Sequence, residues 1–118
     1  MPDPREEQFC YVTTKGRRTG RPHTIEIWFA RRDDTIYMLS GGGDRSDWVK
    51  NLIADGDVTV RIGGDTFAGS SRVVNEPDED ALARRLLGEK YGRGQDLSRW
   101  LGEALPVAVD LRTDSSSR

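Results

Sequence analysis

The chain has 118 residues, 35% of them hydrophobic and 32% charged, with a net charge of -2. That length suits one domain with a modest core. The slightly acidic balance argues against a nucleic-acid or membrane-surface protein, which needs a broad basic face. One cysteine and one histidine allow no internal disulfide and no thiolate or imidazole metal cluster.

Met1–Gln8 is polar, which predicts a flexible arm over 1–8 rather than a secretory leader. No apolar run reaches the length of a membrane span, so a cytoplasmic location is expected. Phe9-Cys10-Tyr11-Val12-Thr13-Thr14 is aromatic and β-branched and predicts a strand; Cys10 reads there as a small buried hydrophobe.

Lys15-Gly16-Arg17-Arg18-Thr19-Gly20-Arg21-Pro22-His23 follows, with four permanent cations and no acid. Such a basic turn between strands offers guanidinium forks and backbone N–H groups to an anionic ligand. The plainer reading is a hairpin turn kept soluble by charge.

His23–Ala30 reads as the second strand, with Ile25, Ile27 and Phe29 on one face and Thr24, Glu26 and Trp28 on the other. Glu26 is expected on the solvated face. Arg31-Arg32-Asp33-Asp34 is a polar reversal. Thr35–Ser40 is the third strand, ending in Gly41-Gly42-Gly43, where the backbone is unusual or closely approached.

Ser46 is placed to cap a short amphipathic helix over Asp47–Ala54, with Trp48, Val49, Leu52 and Ile53 at helical spacing and Gly56 beyond its end. Val58–Ile62 alternates as a fourth strand, and Gly63-Gly64-Asp65 predicts a hairpin. Thr66–Val74 is the fifth, with a bulge expected at Gly69.

Pro77 and the acids around it start a second helix, with Ala81, Leu82, Leu86 and Leu87 as its apolar stripe and an end near Tyr91-Gly92. Asp96–Gly102 suggests a further helical turn. Leu105–Leu111 is a final strand, with Pro106 expected at an edge or bulge, and residues 113–118 read as a disordered tail. Six strands joined mostly as hairpins predict a mainly β fold, a small antiparallel barrel over residues 9–112 with two or three short helices.

The order of these motifs resembles a known family. Thr13-Thr14-Lys15-Gly16-Arg17-Arg18-Thr19-Gly20-Arg21-Pro22 is similar to the "T-T-x-G-R-[KR]-[ST]-G-x-P" signature of the deazaflavin-dependent nitroreductase family, split-β-barrel reductases using coenzyme F420. Ser40-Gly41-Gly42-Gly43 with Asp47-Trp48 and Asn51-Leu52 resembles its "S-x-G-G … P-x-W-x-x-N-L" segment, and Leu105–Val109 its closing strand. The likeness runs from Phe9 to Leu111.

It implies a six-stranded antiparallel split barrel of the FMN-binding type. Its cofactor is a polyanion, with a phosphodiester and an oligoglutamate tail on a flat hydride carrier. Lys15, Arg17, Arg18 and Arg21 would hold phosphate and carboxylates, helped by the Thr19 hydroxyl and the Thr19 and Gly20 backbone. Ser40, Gly41 and Gly42 would lie near the ring. His23, Trp48 and Asn51 complete the implied cofactor set, each with a purely structural alternative, and Lys50 either reaches the tail or is solvated.

Departures from the pattern point to a different substrate from that of any one relative. Gly41 stands where many members carry lysine, Asp47 replaces a proline-containing approach, and His23 replaces arginine. Trp28 stands where relatives have a tyrosine-bearing segment, and the arm before Phe9 is short.

A deazaflavin transfers hydride, so the protein needs no nucleophile or metal. The expected activity is reduction of a quinone, nitro compound or activated alkene, with Tyr91 and Trp28 as candidate residues on the substrate side and Tyr91, Tyr11 or water as proton source. The alternatives are an FMN-binding split-barrel oxidoreductase and a non-enzymatic flavin or deazaflavin carrier. Both monomer and homodimer are compatible with the pattern.

Overall fold

The computed structural model describes residues 8–92 and 96–112; residues 1–7 of the expected arm over 1–8, and the expected tail over 113–118, lie outside them. It contains seven strands: β1 Phe9–Lys15, β2 Pro22–Trp28, β3 Ala30–Arg32, β4 Thr35–Ser40, β5 Asp57–Ile62, β6 Asp65–Val73 and β7 Leu105–Leu111. Three helices are interspersed: α1 Asp47–Ala54, α2 Pro77–Tyr91 and α3 Ser98–Glu103. The strands form one antiparallel sheet in the order β2-β1-β5-β6-β7-β4-β3.

The two outer strands of that sheet are neighbours in sequence. Only Phe29 separates β2 from β3, so the sheet curls until its edges are the two halves of one bent strand. Six strands were expected; the seventh arises because the second breaks at Phe29 and its outer half runs on to Arg32. The reversal into β4 then takes only Asp33 and Asp34, with Asp33 at φ 54°.

The break has a chemical cause. The Phe29 N–H donates to Tyr91 Oη at 3.0 Å, and its carbonyl lies 2.8 Å from the same hydroxyl and 2.9 Å from Lys90 Nζ. A backbone unit served by side chains can leave the ladder without an unpaired polar group. The same hydroxyl lies 2.7 Å from the Gln8 carbonyl, which ties down the last residue of the expected arm.

Side chains divide between two cores. Inside the curl lie Val12, Phe29, Ile36, Met38, Val60, Val107 and Val109, closed at one end by Trp48, Val49 and Leu52 of α1. Outside it, Tyr37, Leu39 and Ala108 of β4 and β7 meet Ala83, Leu87 and Tyr91 of α2. Strands covered on both faces lose the alternation of half-exposed ones, so β4 is buried at five successive positions, Ile36–Ser40. β5 keeps strict alternation because its outer face is bare.

Several local expectations are corrected. Ile53 points outward and is 61% exposed; the fourth inward position of α1 belongs to the polar Asn51. Ala83, not Ala81, joins the buried stripe of α2. Gly69 makes no bulge, since its pairing with Val58 continues an unbroken register. A Cβ there would lie 2.5 Å from Val109 Cγ1, so the glycine answers a close approach between strands.

Pro106 also sits inside the sheet, because β7 lies between β6 and β4. Its carbonyl faces Val74 N–H at 3.0 Å, so its missing N–H faces the side on which β6 ends at Val73.

The first turn of α2 is fastened to the sheet by ions. Glu76 caps the helix, accepting from the Glu79 and Asp78 N–H groups. Arg72 grips Glu79 at 2.6 and 2.8 Å and Asp110 at 2.8 and 3.2 Å. Tyr37 donates to Glu79 at 2.8 Å and Thr35 to Asp110 at 3.0 Å. Hydrogen bonds from Arg72 hold both carboxyls below their ordinary range.

A lowered folded-state pKa stabilises the fold above the unfolded carboxylate value of about 4 and loses that contribution as pH falls through the lower folded value. The thermal midpoint is therefore expected to drop steeply on acidification below about pH 4, and Arg72→Met is expected to flatten that limb. Parallel acid limbs in the two proteins would remove this network from the account.

Candidate functional site

The turn between β1 and β2 spans residues 16–21 and is internally braced. Gly16 N–H donates to the Arg21 carbonyl and Gly20 N–H to the Gly16 carbonyl, both at 2.8 Å. Gly20 takes φ +75°, a conformation that suits glycine. Thr19 Oγ1 accepts from Arg21 N–H at 3.2 Å. The Gly20 N–H and the Thr19 hydroxyl therefore serve the turn itself, a role the sequence did not show.

Asn51 joins this turn to α1. It is 4% exposed; its Oδ1 accepts from Arg17 N–H at 3.2 Å and from Arg17 Nη1 at 2.8 Å, while Nδ2 donates to Thr14 Oγ1 at 3.2 Å. Arg17 Nη2 also pairs with Asp47 at 3.4 Å. Asn51 is thus the brace that aims Arg17.

Arg17, Arg18, Thr19, His23, Lys50 and Asn51 come together around a cavity of about 440 Å³, with Asp47 as its one acid. Among the described residues Arg18 and Lys50 have no ion-pair partner, so an excess of positive charge faces the cavity. Lys15 and Gly20 line a separate hollow with Asp57 and Arg112. Arg21 lines neither of the two, and its side chain has no ion pair among the described residues.

The glycine segment after β4 is shaped by two serines. Ser40, 2% exposed, donates to the Gly43 carbonyl at 3.0 Å and meets Ser46 Oγ at 3.1 Å. Ser46 stands at the N-cap of α1 but makes no cap bond with its side chain. A Cβ on Gly42 would strike Ser46 Oγ at 2.5 Å, whereas one on Gly41 would meet nothing. Gly43 adopts φ +62°. Trp48, placed with the cofactor set from the sequence, is buried in the main core at 8% exposure.

A second, apolar cavity of about 430 Å³ lies at the far end of β2, lined by Phe9, Glu26, Ile27, Trp28, Leu39 and the α3 segment through Leu97 and Trp100. Trp28 stacks on Tyr91 at 4.3 Å and meets Trp100 edge-on at 5.4 Å. Trp28, a candidate on the substrate side from the sequence, thus forms one wall of this cavity. Tyr91 stands one layer behind, its hydroxyl occupied at the Phe29 bend and its pKa pushed up to about 12 by burial.

Glu26 is exposed as expected, yet it also lines this cavity. Leu39, Leu97 and Trp100 were not identified from the sequence; Trp100 sits in a six-residue helix whose pattern is too short to assign a face. The edge strand β2 links the two cavities, with His23 at one and Ile27 at the other, about 13 Å apart at the rise of a strand.

A curled antiparallel sheet with a cation-lined cavity and an aromatic cavity along one edge strand defines a split-barrel protein. The chain belongs to the F420H2-dependent quinone reductase family, whose profile matches residues 5–112. It is a deazaflavin-dependent oxidoreductase and its cofactor is coenzyme F420.

The F420H2-dependent quinone reductase of Mycobacterium tuberculosis H37Rv is 28% identical over 104 residues, 84% of this chain and 70% of the relative. Among solved structures, an F420H2-dependent reductase (FDR-A) superposes with a TM-score of 0.71 at 19% identity, covering 86% of this chain and 93% of that one. HutZ, the haem storage protein of Vibrio cholerae, superposes at 0.74 with 16% identity, covering 93% and 85%. The shared fold therefore serves different ligands, and the family match carries the cofactor assignment. Among the described residues no helix is long and apolar enough to cross a membrane.

Proposed function

We propose that this chain passes hydride from reduced coenzyme F420 to flat electrophilic small molecules: quinones, nitro compounds or activated alkenes. The observation carrying this reading is the aromatic cavity of Trp28 and Trp100 lying along the same edge strand as the cation-lined cavity.

The donor set fits the coenzyme. Arg17, Arg18 and Lys50 take its phosphate or carboxylates in charge-assisted bonds, with Lys15 and Arg21 adding positive field from the same turn. Thr19 and Gly20 hold the turn's shape, Asn51 aims Arg17, and Trp48 anchors α1 behind them. His23 supplies the near wall. Ser40 fixes the glycine segment, so that Gly41 would present open backbone to the ring, with Gly42 packed against Ser46 behind it.

The bound cofactor, when reduced, supplies the hydride; the chain orients the acceptor against it and keeps the site apolar. The Tyr91 hydroxyl is engaged by backbone, so water is the proton source wherever the product needs one.

Titration with oxidised coenzyme F420 and with FMN, followed by turnover on menadione, a nitroaromatic and an enone, tests this. Tight binding of the deazaflavin and reduction of at least one acceptor are expected. Preference for FMN, or binding without any turnover, overturns the reading.

A further inference from the structure

Among the described residues that line it, the aromatic cavity carries a single ionisable group, and that group is an acid. Phe9, Ile27, Trp28, Leu39, Leu97 and Trp100 are uncharged, leaving Glu26 alone. Its carboxylate is held in place: Tyr11, its cross-strand neighbour, donates a hydrogen bond to Oε2 at 2.5 Å.

The cations nearby are directed elsewhere. The Arg61 guanidinium lies over the Tyr11 ring at 4.3 Å, and the Lys90 ammonium serves the Phe29 carbonyl and lies over its ring at 3.7 Å. Indole faces and edges beside a fixed carboxylate favour a flat ligand with a spread positive charge, and a lone carboxylate repels an anionic one.

We propose that Glu26 is a specificity-determining residue and that the acceptor taken by this cavity is a planar electrophile carrying a delocalised positive charge, a conjugated iminium or N-alkylated heteroaromatic ring. This inference rests on the reductase reading above and narrows its substrate.

The chemistry suits the lining. As an iminium carbon accepts hydride from the reduced cofactor, a C–H bond forms and the C=N π pair moves to nitrogen. The cation becomes a neutral amine, two electrons having left the cofactor, and the product needs no proton. A cavity whose neighbouring tyrosines are engaged, Tyr11 by Glu26 and Tyr91 by backbone, is matched to such an acceptor. The neutral product is also held less strongly by Glu26 than the cation was.

The test uses the full chain with three acceptors: N-methylacridinium as cation, naphthoquinone sulfonate as anion and menadione as neutral reference. Wild type is expected to favour the cation over the anion by about tenfold in kcat/KM relative to menadione, mainly through KM, the size of one screened charge contact. Glu26→Gln is expected to bring that ratio close to one, and Glu26→Lys to reverse it.

Fluorescence binding of N-methylacridinium against neutral acridine, without cofactor, reads the same preference independently of turnover. An unchanged ratio in Glu26→Gln, or a wild-type preference for the sulfonate, overturns the proposal. Failure of menadione and the other acceptors to react, with the binding preference intact, would sink the reductase reading and leave the cation site standing.

Discussion

Coenzyme F420 is expected to bind more than a hundredfold more weakly when Arg17 and Arg18 are both replaced by alanine, about 3 kcal/mol from two charge-assisted contacts. The two arginines contribute differently. Arg18 faces the cavity with no ion pair among the described residues, so its truncation should remove the proposed ligand contact and little else. Arg17 is fixed by Asn51 and Asp47, and its loss also strips the Asn51 amide of its charged partner while the Arg17 backbone N–H remains.

The pair Arg18→Ala and Lys50→Ala separates binding from turn collapse, because neither side chain braces the turn. It should weaken binding comparably while leaving the thermal midpoint unchanged. The loss should shrink as salt is added, since the contacts are ionic and the cavity is open to solvent. Fluorescence titration decides the matter: affinity kept within about twofold in both double variants, with intact circular dichroism, would take the polyanion away from this turn.

Tyr91→Phe should cost about 2–3 kcal/mol in chemical denaturation, because one missing hydroxyl leaves the buried Phe29 N–H without its acceptor and loosens the Gln8 carbonyl. A change of that size lowers the thermal midpoint by roughly 10 °C or more in a domain of this length. The aromatic ring and its stack on Trp28 remain, so turnover should fall less than stability.

The pH dependence gives a second readout. Burial raises the Tyr91 pKa to about 12, above the unfolded value of about 10. Its contribution is therefore complete below about pH 10 and is lost as the pH rises toward 12. Cys10 and Tyr37, also raised to about 12 chiefly by burial, act in the same direction. Wild type should thus show an alkaline loss of stability that Tyr91→Phe reduces but does not abolish. A variant as stable as wild type would mean that the bend at Phe29 does not depend on the tyrosine.

These effects show where local pattern stopped being informative. Turn chemistry, strand alternation and helix-start signals operate within a few residues, and they placed β1, β4, β5, α1, α2 and β7 at or within a residue or two of where they lie. The basic turn was equally legible, because four cations punctuated by glycine and proline stand out in an acidic chain.

The sequence could not show that Tyr91, 62 residues beyond Phe29, would satisfy the backbone at that point and split one strand into the two edges of a curled sheet. Nor could periodicity anticipate that Asn51 would turn inward to brace Arg17 while Ile53 faced water. A polar residue belongs inside only where partners from another element meet it.

The sequence by itself determined the elements, the cationic turn and the resemblance to a deazaflavin enzyme, since each is written in contiguous residues. Only the tertiary structure decided the order of the strands, the second core and the assembly of Glu26, Trp28, Leu39 and Trp100 into one cavity. Those depend on contacts between residues far apart in the chain, which no local propensity encodes.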